Sequence, residues 1–112
     1  MDDHIGLGMR RIILKAMILK IIGEKPTYGY EIIKEVERRT NGRWTPSPGS
    51  IYPALDSLES KGWIKSEESE RRKLYTITPK GKAALERLKA KWLEQVQEIT
   101  RFFEAVIEED DS

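Results

Sequence analysis

From Leu85 onward an apolar residue returns every third or fourth position: Leu85, Leu88, Trp92, Val96, Ile99, Phe103 and Val106. That spacing lines one face of a helix far longer than the three turns of an average one. Thr78 and Pro79 mark its start, as N-cap and first helical residue. A chain of 112 residues builds only a modest core and cannot cover so long a stripe by itself. A second chain is the simplest cover, through a coiled-coil-like seam with an irregularity. The acidic run Glu108-Glu109-Asp110-Asp111 that follows reads as a solvated tail.

Three shorter helical segments precede this one. The first spans about Leu7 to Ile22, with Met9, Ile12, Ile13, Ala16, Met17, Leu19 and Ile22 at helical spacing, and Gly23 and Pro26 as stop signals. The second starts at Thr27, read as an N-cap. It carries Tyr28, Ile32, Ile33 and Val36 to about Arg39, before Asn41-Gly42 breaks it. Trp44-Thr45-Pro46 is extended, because the residue before a proline avoids helical angles. The third helix begins with Ser47 as N-cap and Pro48 at its first position. Ile51, Leu55 and Leu58 share a face, Pro53 forces the start to lie near Pro48, and Gly62 ends the helix.

The period then changes to two. Trp63-Ile64-Lys65-Ser66 and Lys73-Leu74-Tyr75-Thr76-Ile77-Thr78 read as strands, joined by the polar stretch Glu67 to Arg72. The order helix, helix, helix, hairpin, long helix predicts a mainly α fold with a small β-hairpin: a winged helix-turn-helix with a long C-terminal helix. We divide it into residues 1–78, the winged domain, and residues 79–112, a dimerisation helix with its acidic tail.

Composition removes other classes. There is no cysteine, and the single histidine, His4, is read as a tail residue. No phosphate-cradling glycine loop or metal-spaced cluster appears, so an enzyme, a metal and a cofactor are not expected. The first apolar segment is too short and too charged to span a bilayer, and no small-residue cleavage site follows it. A cytoplasmic protein is expected. The net charge of +1 hides an asymmetry: residues 1–80 hold 15 Lys+Arg against 11 Asp+Glu, and residues 81–112 hold 5 against 8. The basic excess lies where a polyanion would bind.

Three stretches are more specific. They are Pro48-Gly49-Ser50-Ile51-Tyr52-Pro53-Ala54-Leu55, continuing through Leu58-Glu59 and Gly62; Tyr28-Gly29-Tyr30-Glu31-Ile32; and Arg72, Tyr75, Ile77-Thr78 and Gly81. In this order and spacing the chain resembles the PadR family of winged-helix regulators over nearly its whole length, in the smaller subgroup with a single C-terminal helix. The resemblance implies a dimeric transcriptional regulator, usually a repressor. It implies dimerisation through the last helix, and release from DNA by a small molecule or another signal. One departure stands out: Glu67-Glu68-Ser69-Glu70 carries three carboxylates and no glycine, where family wings are more often basic and tightly turned.

On this reading the third helix enters the major groove by its N-terminal end. Candidate DNA contacts there are Ser47, Gly49, Ser50 and Tyr52; the second segment adds Thr27, Tyr28 and Lys34, and the wing adds Arg71, Arg72 and Lys73. No lysine or arginine occurs in the third helix before Lys61. A bidentate arginine to guanine is therefore missing from its outer face, and specificity is expected to lean on shape, water and methyl contacts. The operator is expected to be a pseudo-palindrome read by a homodimer through the stripe from Leu85 to Val106. In some PadR relatives an aromatic near the place of Trp92 stacks on flat apolar ligands between protomers. Trp92 with Met9, Ile13 and Met17 is thus a candidate effector site, against the plainer reading of Trp92 as dimer core. The alternative function is a winged-helix protein-interaction module without specific DNA binding, which the acidic wing favours.

Overall fold

The structure is a computed structural model. It describes the backbone of residues 2–111 and the side chains of residues 11–105. Seven elements follow in order: α1 (Asp2–Glu24), β1 (Thr27–Tyr28), α2 (Gly29–Arg39), α3 (Pro48–Ser60), β2 (Ile64–Ser69), β3 (Arg72–Ile77) and α4 (Pro79–Asp111). The three strands form one antiparallel sheet in the order β1-β3-β2. This is a winged helix with a long C-terminal helix, the expected class.

Helix α1 is longer than its apolar pattern suggests. It stops at Glu24 because Lys25 precedes Pro26 and is pushed toward extended angles. Gly23 is not the stop. It lies inside the last turn, where a Cβ would sit 3.2 Å from Leu85 Cδ2 and 3.4 Å from Ile77 Cδ1, so its bareness lets α4 and β3 approach. The core face of α1 is Leu14, Ile18, Leu19, Ile21 and Ile22, all buried. Ile12 and Ile13, part of the predicted stripe, are 65% and 43% exposed. The helix is therefore apolar on two sides, and only one of them is buried by this chain.

Thr27 is a strand residue and not a helix cap. Thr27 and Tyr28 pair with Tyr75 and Leu74, and the cap position of α2 falls to Tyr28, with no side-chain capping bond. Two residues are too few to show a period in the sequence. Helix α2 buries Ile32 and Val36 and ends in a Schellman turn. There Asn41 N–H donates to the Arg38 carbonyl (3.1 Å) and Gly42 N–H to the Glu37 carbonyl (2.8 Å), with both residues at positive φ.

Ser47 is the N-cap residue of α3, followed by Pro48 as expected. Its hydroxyl bonds Ser50 Oγ (3.3 Å) and caps no backbone N–H. Ile51, Leu55 and Leu58 are buried to within 1%. A second Schellman turn closes the helix: Gly62 N–H donates to the Glu59 carbonyl (2.9 Å) and Trp63 N–H to the Leu58 carbonyl (3.1 Å).

The hairpin is longer and tighter than predicted. Most of the stretch from Glu67 to Arg72 is strand, paired down to Ser69 opposite Arg72. Only Glu70 and Arg71 turn, both at positive φ, 51° and 67°. That is the two-residue geometry for which Asn-Gly is favoured, here built without glycine.

Helix α4 starts as expected. Gly81 N–H donates to Thr78 Oγ1 (3.0 Å), and that hydroxyl donates to the Gly62 carbonyl (2.6 Å). Ala84 and Leu85 are buried, and Leu88 packs against the same core half-covered. The exposed part of the stripe therefore begins beyond Leu88. Gly81 is where α4 meets the wing base: a Cβ would stand 2.0 Å from the Trp63 carbonyl oxygen and 2.8 Å from Ile77 Cγ1.

Gly81→Ala is expected to cost about 3 kcal/mol, because backbone must move. Gly49→Ala, whose Cβ meets nothing closer than Ser47 Oγ at 3.7 Å, should be neutral or stabilising by up to about 1 kcal/mol. Urea unfolding of the two variants tests the contrast; equal stabilities would show that α4 does not seat on the wing base as described.

Candidate nucleic-acid interface

The first two turns of α3 present one face to solvent. Ser47, Pro48, Gly49 and Ser50 are exposed, and Tyr52 is 45% exposed. They are held there by the Ile51-Leu55-Leu58 face, which fixes the helix rotation. Tyr52 lies across the start of α2: a Cβ on Gly29 would be 3.0 Å from its Cε1 and 3.1 Å from its hydroxyl oxygen. The Tyr28-Gly29-Tyr30 sequence thus reads physically as a tyrosine seat at the helix-turn-helix junction. Sequence inspection singled out Gly29 only as part of a motif and gave no reason for it.

Tyr28 is half-buried beside the wing. The Arg72 guanidinium lies over its ring at 4.6 Å from the centroid, an attractive cation–π geometry. The structure therefore brings Tyr28 and Arg72 together next to Tyr52. Thr27 differs. It is 7% exposed, because its strand position packs its side chain inward, and it offers a ligand almost nothing. Lys34 is exposed on the outer side of α2, with its ammonium 4.3 Å from the Tyr30 ring centroid. Arg71 occupies the wing turn itself, and Lys73 stands directly opposite Glu68 on β2. Glu67, Glu68 and Glu70 are all exposed, so the wing presents both signs of charge.

A second feature lies behind the helix-turn-helix. A cavity of about 470 Å³ opens between α1 and α4, and its lining includes Ile13, Met17, Ile21, Trp92 and Val96. It joins three of the four residues of the candidate effector site. The fourth, Met9, lies outside the described side chains, as does Val106 of the stripe. Trp92 is half-buried, whereas Val96, Ile99 and Phe103 are 57–58% exposed.

Arg39 lies on the rim of this cavity and ties α1 to α2. It bonds Glu24 of α1 and, through Nε at 2.8 Å, Glu35 of its own helix. Arg38 also pairs with Glu35, and Lys20 with Glu24 at 3.2 Å. The Glu35-Arg39 spacing of four was the available signal; the reach to Glu24 depends on the tertiary fold. Both carboxyls are held down to about 2, Glu24 chiefly by Arg39 and Glu35 chiefly by Arg38 and then Arg39.

Comparison with known proteins accords with this architecture. The model of the transcriptional regulator PadR-like family matches residues 18–87, more than half of the chain. The Transcriptional regulator YqjI of Escherichia coli is 38% identical over 92 residues, which make up 81% of this chain and 41% of that protein. The chain thus spans about two fifths of that relative's length. Among solved structures, a transcriptional regulator from Clostridium thermocellum superimposes with a TM-score of 0.77 at 30% identity, covering 85% of this chain and 94% of that one. A PadR family transcription regulator from Clostridium difficile gives 0.71 at 34% identity, covering 80% and 97%. The chain belongs to the PadR-like family of transcriptional regulators.

The ion-pair cluster has a pH signature. Carboxyls lowered in the folded state contribute stability above their ordinary value of 4.5 and lose it as pH falls toward about 2. Stability from urea unfolding should therefore fall between pH 4.5 and 2, and fall less steeply in Arg39→Gln. Since these side chains are partly exposed, added salt should shrink the difference. Identical acid limbs in both proteins would mean the cluster carries no stability.

Proposed function

We propose that this PadR-like transcriptional regulator is a homodimer that binds a pseudo-palindromic duplex as a repressor and leaves it when a small, planar, hydrophobic effector binds. The observation that carries the DNA reading is the exposed N-terminal half of α3, rigidly rotated by its buried face, with Tyr52, Tyr28 and Arg72 gathered at one side. Short hydroxyls there suit base edges or phosphates, and the aromatic rings suit thymine methyls and sugar. The interface comprises Ser47, Gly49, Ser50 and Tyr52 from α3, Tyr28 and Lys34 from α2 and its approach, and Arg71, Arg72 and Lys73 from the wing. Thr27 supports it from beneath.

For the dimer, support comes from α4, whose Leu93, Val96, Ile99, Phe102 and Phe103 are each more than half exposed. Fully burying such a side chain is worth about 1.5–3 kcal/mol, ample for association. Residues 1–78 then act as the reading domain and residues 79–112 as the dimerising one, with the first turns of α4 seated on the reading domain through Gly81 and Leu85. For the effector, support comes from the cavity beside Trp92, apolar in its lining and walled on the α1 side by residues that include the adaptable Met17. Cytoplasmic residence fits this role; among the described residues no helix is long and apolar enough to cross a membrane.

Selection from random duplex DNA at moderate salt should enrich an inverted repeat whose half-sites lie about one helical turn apart, ~34 Å. Ser50→Ala and Tyr52→Ala should weaken binding to it. Absence of enrichment, with retention indifferent to salt, would point to an interaction module and give the acidic wing that role. Planar aromatic compounds should quench tryptophan fluorescence in the wild type and much less in Trp92→Ala. Equal quenching in both, once the Trp44 and Trp63 signals are separated, would remove the effector site.

A further inference from the structure

Helix α3 carries no cation before Lys61, yet phosphate contacts, more than base contacts, fix a recognition helix in register. A helix lying in the major groove has a phosphate strand on each side, across a groove about 12 Å wide. Its flanking elements must therefore supply the charge on both sides. Ser50 and Tyr52, two residues apart on a helix, point to nearly opposite flanks. On the Tyr52 flank stand Tyr28 and Arg72, already described.

The Ser50 flank faces α1. A cavity of about 530 Å³ lies between the two helices. Arg11 and Lys15 line it from α1, and Gly49, Ser50 and Pro53 from α3. Arg11 and Lys15 are one turn apart, and among the described residues neither has a carboxylate within 4 Å. By contrast Lys20, further along the same helix, is paired with Glu24. Two like charges at this spacing cost a helix a few tenths of a kcal/mol, so the fold gains nothing from their being together. A polyanion lying along the open side of α3 would gain from both.

The geometry points to Arg11 and Lys15 as the second phosphate clamp: they hold the duplex strand on the Ser50 side of α3 and make α1 a DNA-contacting element. This rests on α3 being the recognition helix. The clamp carries no sequence information, so it acts on affinity and register and leaves base preference to α3. It also gives α1 three tasks around its circumference. Ile18 and Leu19 are core, Ile13 and Met17 line the effector cavity, and Arg11 and Lys15 hold phosphate. A ligand that tilts α1 would then move the clamp directly.

The test measures affinity for the selected repeat and for a scrambled duplex across a salt series, in wild type and in the double variant Arg11→Gln/Lys15→Gln. Each phosphate contact contributes about 0.9 to the slope of log affinity against log salt, so losing two per protomer should lower the dimer's slope by about 3 to 4. The preference for the repeat over the scrambled duplex should not change. Arg11→Lys/Lys15→Arg should restore the slope, and the melting temperature and sedimentation of the double variant should match the wild type. An unchanged slope with wild-type binding intact would overturn the clamp alone. A variant that loses its dimer, with binding falling in proportion, would also overturn it and assign the pair to the protomer interface. Failure of the wild-type protein to bind any duplex would instead bring down the proposed function, and the clamp with it.

Discussion

The rest of the structure depends on how α1 is buried. Ile18, Leu19 and Ile22 are excluded from solvent almost completely, and α2, α3, α4 and β3 all pack on this helix. Three helices and a ribbon of this size have little apolar surface to spare, so the central helix fixes where each neighbour can lie. Helix α3 is rotated by locking Ile51, Leu55 and Leu58 onto the same core, and that rotation is what leaves Ser50 and Tyr52 outside. Helix α4 can seat on the wing base because Gly81 carries no side chain there, and Gly23 eases its contact with α1. The outward face of α3 is therefore a consequence of core packing, with no separate device to orient it.

The same packing leaves a deficit elsewhere. The second apolar side of α1, Ile12 and Ile13, and the distal half of α4, from Leu93 to Phe103, remain more than two fifths exposed in a single chain. A contiguous apolar surface of this kind is uncommon on a monomer and marks an interaction site. In the proposed dimer, a second copy covering both would also close over the cavity beside Trp92. On the proposed reading, the effector site and the dimer interface arise from one shortfall in self-burial. That couples them: a ligand in the roofed cavity touches the elements that set the spacing of the two α3 helices.

Much of this was legible in the sequence because it rests on local rules. Pro48 and Pro79 opened helices, Asn41-Gly42 and Gly62 closed them, and the switch from a period of three or four to a period of two located the wing. What escaped depends on tertiary partners. Strand β1 is two residues long and exists only because β3 offers an edge. Thr27, with the composition of a cap, was drawn into that ladder and buried. Along α1 the residues are apolar nearly all round, so periodicity could not say which side was core; Leu14, Ile18 and Ile21 were passed over for Ile12 and Ile13. The wing turn was hidden for a different reason. Glu70 and Arg71 hold positive φ without glycine, a conformation that L side chains resist and that composition does not announce. Among the candidate site residues, those near the start of α3 were legible from turn chemistry. Arg39 was not, because its role depends on Glu24, fifteen residues away and on another helix.

The charge distribution acquires a physical sense once the fold is in place. The acidic residues of the wing, Glu67, Glu68 and Glu70, are offset by Lys65, Arg71, Arg72 and Lys73 across the hairpin, so the ribbon carries little net charge. Arg11 and Lys15 line the cavity beside α3, while Lys20, Arg38 and Arg39 are paired with Glu24 and Glu35. On the proposed reading these two cations flank α3 where it would meet a phosphate strand, and the Arg39–Glu24 pair braces α1 against α2. On that reading a net charge of +1 gives modest long-range attraction for DNA, and the flank contacts form when α3 is seated. On the same reading the flank contacts add affinity and fix register once α3 is seated, and base preference stays with α3.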